Sequence, residues 1–229
     1  MTDLPHSFLI AGDEIILPPL LYATNSVDDE FVTQKKRRKC KADILNDLTS
    51  SDEVLITRSI NARCLARSVR RAGIIPYTIS DSGDVIFALG IDQSGDYSDG
   101  GGGFSRKYDK LPIICATREL GEEFLGILDV TIANLANEPC IVADHIVVYF
   151  AYLSPERLFS LPSRFPKRLI EHNSHSKKKS EMIGIRLIFD RDIFDDLNQG
   201  NIYSVISGAL SRNIDKVISI IKGNSIYKL

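Results

Sequence analysis

Three carboxylates stand close together in the segment Arg118–Glu123, RELGEE: Glu119, Glu122 and Glu123 occupy positions i, i+3 and i+4. An α-helix turns about 100° per residue, so this spacing puts all three on one flank of a helix. Carboxylates about 6 Å apart repel by roughly 2–3 kcal/mol per pair at an effective dielectric near 20. Lysines at i,i+4 normally relieve such a face, and none lies between Glu119 and Glu123. Hard divalent cations, Mg²⁺ above all, are the usual reason to collect carboxylates in this way.

The helix that must carry them has a core-facing stripe. Ile113, Ala116, Leu120, Phe124 and Ile127 fall within one narrow arc of the wheel, with the glutamates beside it. Upstream lies Asp92–Gly103, rich in Gly, Asp and Ser, which reads as a mobile loop. Its last four residues, Gly100–Gly103, suit either a backbone that approaches a phosphate or a plain flexible linker.

At these residues the chain resembles the Nudix family, whose box is G-x5-E-x7-R-E-U-x-E-E-x-G-U with U a bulky aliphatic residue. Gly103 matches the opening glycine, and Asp109 falls where the first Glu is expected. Arg118, Glu119, Leu120, Glu122 and Glu123 match the R-E-U-x-E-E core, and Gly126 and Ile127 match the closing pair. There are three departures: Asp for the first Glu, one extra residue between Asp109 and Arg118, and one between Glu123 and Gly126.

The resemblance implies an α/β (α+β) fold, a Nudix-like α-β-α sandwich with a mixed sheet. It implies hydrolysis of a pyrophosphate linkage in a nucleoside diphosphate joined to some other group, with Mg²⁺ or Mn²⁺ as cofactor. Glu119, Glu122 and Glu123 are the implied metal ligands, with a backbone contact to metal or phosphate from Gly103. Arg118 is expected to orient a glutamate and the glycine loop through a salt bridge. Family members often recruit a further carboxylate outside the box as general base, and Glu181, at the head of a strand, is the candidate here; its plain alternative is an exposed charge at a strand edge.

The rest of the chain bounds these expectations. At 229 residues with 44% hydrophobic content, it can bury a full core as one generous domain or a domain with an appendage. A net charge of −2 argues against wholesale coating of nucleic acid while leaving room for local basic patches. The four cysteines, Cys40, Cys64, Cys115 and Cys140, lack metal-ligand spacing and read as free thiols of a reducing compartment. No secretory signal and no run of about 18 apolar residues is evident, so the expectation is an intracellular protein, cytoplasmic or nuclear, without a membrane partner. Nothing indicates an oligomeric state.

Residues 1–67 read as an N-terminal extension and 68–229 as the hydrolase-like domain. The extension has short apolar runs at 7–11 and 14–21, suited to a hairpin or wrapping arm. A basic run spans 35–41, and a short helix is expected over 42–48. The basic run is a solvated charge run, a nuclear-localisation-like segment or an RNA contact.

In the domain, Ile74–Ile79 and Val85–Leu89 flank a hairpin signal at 80–84. Ile141–Leu153 reads as the strongest single strand, with His145 a packed or edge-facing residue within it. Ser154–Ser180 reads as an inserted loop carrying Arg157, Arg164, Lys167, Arg168 and Lys177, Lys178 and Lys179, with Phe159 and Phe165 interleaved. Its two readings are a solvated loop and a basic, aromatic-bearing clamp on a phosphate-rich substrate. Glu181–Asp190 reads as a strand and Ile202–Ile221 as a packing helix.

The extension and the two basic stretches point to a capped RNA end as substrate, that is, mRNA decapping through RNA contacts. The alternatives are a small substrate, such as a dinucleoside polyphosphate, a nucleotide sugar or a diphosphoinositol polyphosphate, and a non-catalytic binding module of the same fold.

Overall fold

The computed structural model describes residues 53–57, 69–143, 145–177 and 179–224. The basic run at 35–41, the expected arm and helix before it and after it, and Lys178 lie outside the described residues.

Two expected strands form the centre of the sheet. β2 (Arg71–Ile79) and β3 (Val85–Asp92) pair antiparallel through Tyr77↔Phe87 and Ile79↔Val85. Between them Ser80 donates its N–H to the Asp84 carbonyl at 2.9 Å, and Gly83 takes a φ of 84°, which favours glycine. The seven inner residues of β2 are all buried. A strand covered on both faces reads as a continuous apolar run rather than an alternating one, which is why these segments stand out.

The run Ile141–Leu153 is two strands rather than one. β6 (Pro139–Ala143) and β7 (Ile146–Tyr152) pair antiparallel, Cys140 opposite Tyr149 and Val142 opposite Val147. His145 is a turn residue with a φ of 68°, and its carbonyl accepts from Arg70 N at 2.7 Å. Both strands are buried on both faces, so no change in apolar pattern between them marks the turn at His145 in the sequence.

The complete sheet has eight strands in the order β1-β6-β7-β2-β3-β4. β1 is Glu53–Ile56 and β4 is Tyr97–Ser98, while β5 (Gly100–Gly103) pairs with β2 and β8 (Met182–Phe189) with β3. β2 and β7 run parallel and the other pairs antiparallel, so the sheet is mixed. β1 comes from the stretch read as an extension and pairs with β6.

Helices cover both faces. On one side α1 (Pro112–Glu123) and two further helices, α3 (Pro155–Phe159) and α4 (Leu161–His175), bury Ala116, Leu120, Leu158, Leu161 and Phe165 against Ile74, Ala88 and Tyr149. The short α2 (Ile132–Leu135) is closed by a capping box at Thr131 and Asn134 and seats Leu135 in the same core. On the other side α5 (Ile193–Asn198) and α6 (Ser204–Asn224) bury Ile193, Ile206, Leu210, Ile214, Val217 and Ile221 against Ile75, Phe87, Val148 and Phe150. The result is an α-β-α sandwich around a mixed sheet. Among the described residues no helix is long and apolar enough to cross a membrane.

Two stretches read as loops are ordered elements. Ser154–Ser180 is mostly α3 and α4, because Leu158, Leu161 and Phe165 share one buried face at helical spacing. Pro162 falls in the first turn of α4, where its missing N–H is tolerated, and Pro166 lies inside the helix. Gly100–Gly103 is a strand, registered Arg71↔Gly103 to Ile74↔Gly100.

Candidate active site

α1 starts at Pro112, with extended Leu111 before it. Ile113, Ala116, Leu120 and Phe124 are buried as the wheel requires; Ile127 lies past the helix end. The helix is closed by a left-handed pair, Leu125 (φ 53°) and Gly126 (φ 68°), with Gly126 donating its N–H to the Gly121 carbonyl at 2.9 Å. This closure fixes how far Glu122 and Glu123 stand from the helix end.

The glutamate flank faces the glycine strand. A Cβ on Gly102 would collide with the Glu119 carboxylate, so only glycine lets β5 pass beneath it. Gly100 makes similar room for Leu120. Gly100 and Gly102 are therefore glycine because the α1 side chains crowd the strand from above, Gly101 because it packs on the Gly73 backbone, and at Gly103 a Cβ would meet nothing.

Arg118 ties the flank together. It grips Asp109 with two bonds, Nε–Oδ1 at 3.0 Å and Nη2–Oδ2 at 2.8 Å. It also reaches Glu119 Oε1 at 2.7 Å, Glu122 Oε1 at 3.1 Å and the Gly103 carbonyl at 3.3 Å. The repulsion expected among the glutamates is thus relieved for two of them by an arginine on the same helix. The Arg118 hydrogen bonds hold the buried Asp109 carboxyl below its usual range against the opposing effect of burial, and Ser105 N–H adds to them at 2.8 Å. Burial pushes the Glu119 carboxyl up, and Arg118 offsets part of that shift. Burial also raises the neighbouring Cys115 thiol to about 12, which leaves it an inert free cysteine.

Two cavities meet at this flank. Gly103, Ser105, Tyr108, Arg118, Glu119 and Glu122 line one of about 460 Å³. The other, about 370 Å³, is lined by Gly101–Gly103 together with Arg71, Asp92, Glu123, Glu181 and Tyr203. Gly103 belongs to both, while Glu123 parts from the other two glutamates and joins Glu181. Among the described residues, no three His, Cys, Asp or Glu side chains are placed to hold one ion together in this arrangement.

The basic residues of the former insertion divide. Arg164 and Lys167 are exposed on α4, and Lys177 is exposed after it. Arg168 is a bracing residue, donating through Nε to the Leu125 carbonyl at 3.0 Å and pairing with Glu171 at 3.1 Å. Lys179 donates to the Asn173 carbonyl at 3.1 Å. Phe165 is fully buried in the core, which removes it from any clamp, whereas Phe159 stays 48% exposed. Arg168 and Glu122 share a broader cleft with Glu171, His172 and His175. Among the described residues, no basic side chain of α4 or of the loop after it lines the two cavities around Gly103.

Arg71 and Tyr203 were not anticipated. Arg71 is brought to the second cavity by the β2–β5 pairing, and Tyr203 by an isolated bridge between Tyr97 and Ile202. No local sequence signal announces either contact.

No family model matches the chain, and no curated protein matches it. Among solved structures it is similar to a C. elegans Ap4A hydrolase in a binary complex, at 13% identity and a TM-score of 0.38, covering 66% of this chain and 98% of that one. A likeness so distant carries no argument about chemistry, which rests on the side chains themselves.

Proposed function

We propose that this chain is a divalent-metal-dependent hydrolase of a pyrophosphate bond, with a capped RNA end as its substrate. The observation that carries the reading is the junction at Gly103, where Glu119 and Glu122 in one cavity adjoin Glu123 and Glu181 in the next. The donor set is carboxylate and backbone oxygen, the chemistry that suits Mg²⁺ or Mn²⁺. Glu119, Glu122 and the Gly103 carbonyl, which line one cavity, would hold the cation, and Glu123, in the next, would join them only by turning its side chain across Gly103. Arg118 takes Oε1 of Glu119 and of Glu122, so each carboxylate has its other oxygen to offer. A bound divalent cation supplies charge neutralisation on the phosphate oxygens and lowers the pKa of water.

The chain's own groups do the rest. The side-chain-free strand Gly101–Gly103 lets a phosphate approach the backbone. Glu181, which lines the same cavity as Glu123, accepts the proton of the attacking water. Arg118 holds the glutamates and the glycine strand in register. RNA is favoured over a small substrate by the exposed cations Arg164, Lys167 and Lys177 outside the cavities, with Lys178 and Lys179 beside them in the sequence. They have no use in gripping a small molecule bound at Gly103.

The test is turnover of a panel in Mg²⁺ or Mn²⁺: cap-labelled RNA, free cap dinucleotide, dinucleoside polyphosphates, nucleotide sugars and inositol pyrophosphates. Capped RNA should be cleaved, and Glu122→Gln and Glu123→Gln should each slow turnover by at least about 10²-fold, since each removes a hard ligand and a charge. Affinity for capped RNA should fall with salt at a log–log slope of roughly −0.7 per phosphate neutralised. Replacing Lys177, Lys178 and Lys179 by Ala should flatten that slope. Turnover of small substrates alone would replace the RNA reading with the small-substrate one. Binding without turnover of any of them would make the protein a binding module.

A further inference from the structure

We infer that Arg71 and Tyr203 form the nucleotide-binding part of the cavity lined by Glu123 and Glu181, with Arg71 contacting a phosphate and Tyr203 stacking on the base. The inference rests on the hydrolase reading for the identity of that cavity as the reaction site, and on separate geometry for the ligand.

Arg71 is held by the carboxylate of Asp99, which also accepts from Ser98 Oγ at 3.4 Å. Asp99 is fully buried, and the Arg71 side chain is only 12% exposed. Nη1 and Nη2 of Arg71 bond the two Asp99 oxygens, and Nη2 also bonds the Gly101 carbonyl at 3.1 Å. Burial works against the Arg71 charge, but the Asp99 carboxylate outweighs it and keeps the guanidinium above its ordinary value. A buried ion pair of this kind is seldom more stabilising than apolar side chains of the same volume. Yet the sheet gives up side chains to accommodate it. A Cβ on Gly73 would collide with the Asp99 carboxylate, and one on Gly101 would collide with the Gly73 backbone. Glycine within strands weakens them, so stability does not account for this arrangement. Positioning of Arg71 does.

The guanidinium has five N–H donors, and the bonds to Asp99 and Gly101 use three of them. Its carbon lies 6.0 Å from the centroid of the Tyr203 ring, and both residues line the cavity. Tyr203 is anchored at its backbone, donating N–H to the Tyr97 carbonyl at 2.9 Å. The guanidinium lies over one face of the Tyr203 ring, so the inferred base stacks on the opposite face; the fixed arginine and the ring together match a group with phosphate at one end and a flat ring at the other. Asp92, Glu123 and Glu181 share the cavity and would repel a phosphate, so binding should require the divalent cation. The ligand class is a nucleoside diphosphate unit carried in with its metal.

The test uses probes that cannot be cleaved: guanosine with a methylene-bridged diphosphate, methylenediphosphonate alone, and guanosine alone, titrated calorimetrically in Mg²⁺. The intact nucleotide should bind at least about tenfold more tightly than either fragment, and removing Mg²⁺ should abolish the difference. Tyr203→Leu should weaken the nucleotide by about tenfold or more while leaving methylenediphosphonate within about twofold, and Tyr203→Phe should retain wild-type affinity. Arg71→Gln combined with Asp99→Asn, which leaves no buried charge unpaired, should weaken both phosphate-bearing probes. Unchanged nucleotide affinity in Tyr203→Leu, or equal affinities for nucleotide and fragments in the wild type, overturns the inference. Because no probe is hydrolysed, a protein that binds as described but cleaves nothing overturns the hydrolase reading alone. One that cleaves its substrate with Tyr203→Leu silent overturns this inference alone.

Discussion

Arg118 and Arg71 are both arginines held by carboxylates at the edge of a cavity, but they are built differently. Arg118 has a side chain 30% exposed and shares its charge among Asp109, Glu119 and Glu122, two of which are its neighbours on the same helix. Arg71 is nearly buried and has a single carboxylate, Asp99, reached only because β5 folds back along β2. The first network rests on local spacing and the second on topology. A shared, partly solvated network loses a member gradually, whereas a lone buried pair fails as a unit.

The sharpest way to break this contrast is to remove each arginine in turn. Arg71→Ala leaves Asp99 charged, buried and unpaired, and should cost about 3–5 kcal/mol of stability in a denaturant titration. Adding Asp99→Asn should recover a large part of that loss. If the double variant is no more stable than the single one, the cost lies in packing and not in the orphaned charge.

Arg118→Gln should cost less, about 1–3 kcal/mol, because Asp109 keeps the Ser105 N–H and part of the network is screened by water. The acid limb of stability should also change. The folded Asp109 carboxyl sits below its ordinary value, so its contribution is fully present above that value and disappears as pH falls through the lowered one. Without Arg118 that step should shrink, and the stability of the variant should fall less steeply than the wild type's below about pH 4. An unchanged acid limb would show that Arg118 does not set the Asp109 charge.

The same contrast explains which parts of the molecule were legible in the sequence. The hairpin of β2 and β3, strand β8, helix α1 and the long α6 follow from apolar periodicity and turn residues. The Arg118 network follows from residues close together on a helix. Gly100–Gly103 misled because glycine ordinarily signals a loop; here Leu120 and Glu119 leave no room for a Cβ at Gly100 and Gly102, and the Gly73 backbone leaves none at Gly101. α4 was hidden by Pro162 and Pro166, although the spacing of Leu161 and Phe165 marks its buried face. The division of Ile141–Leu153 was hidden because both strands are buried on both faces. Arg71, Asp99 and Tyr203 come from three different strands or loops, and only the pairing of those elements reveals that they meet.

The smallest expected effect is the response to metal, and it bears on the Arg118 side of the contrast alone. Mg²⁺ that binds only the folded arrangement stabilises by RT ln(1 + [Mg²⁺]/Kd), about 1.4 kcal/mol at ten times Kd, or roughly 3–6 °C in Tm for a domain of this size. In wild type the cation must share Glu119 and Glu122 with Arg118. Arg118→Gln removes that competitor and leaves the carboxylates mutually repelling, so the Mg²⁺-induced shift should grow. Glu123→Gln should reduce it by deleting a ligand, and Tyr203→Leu should leave it alone. Acid should weaken the shift early. Burial raises the Glu119 carboxyl above its ordinary value, so protons compete with the cation there before they reach an unperturbed carboxylate. A Tm that ignores millimolar Mg²⁺ in metal-free starting protein, in wild type and Arg118→Gln alike, would remove the cation from this flank and leave the glutamates a purely structural network around Arg118.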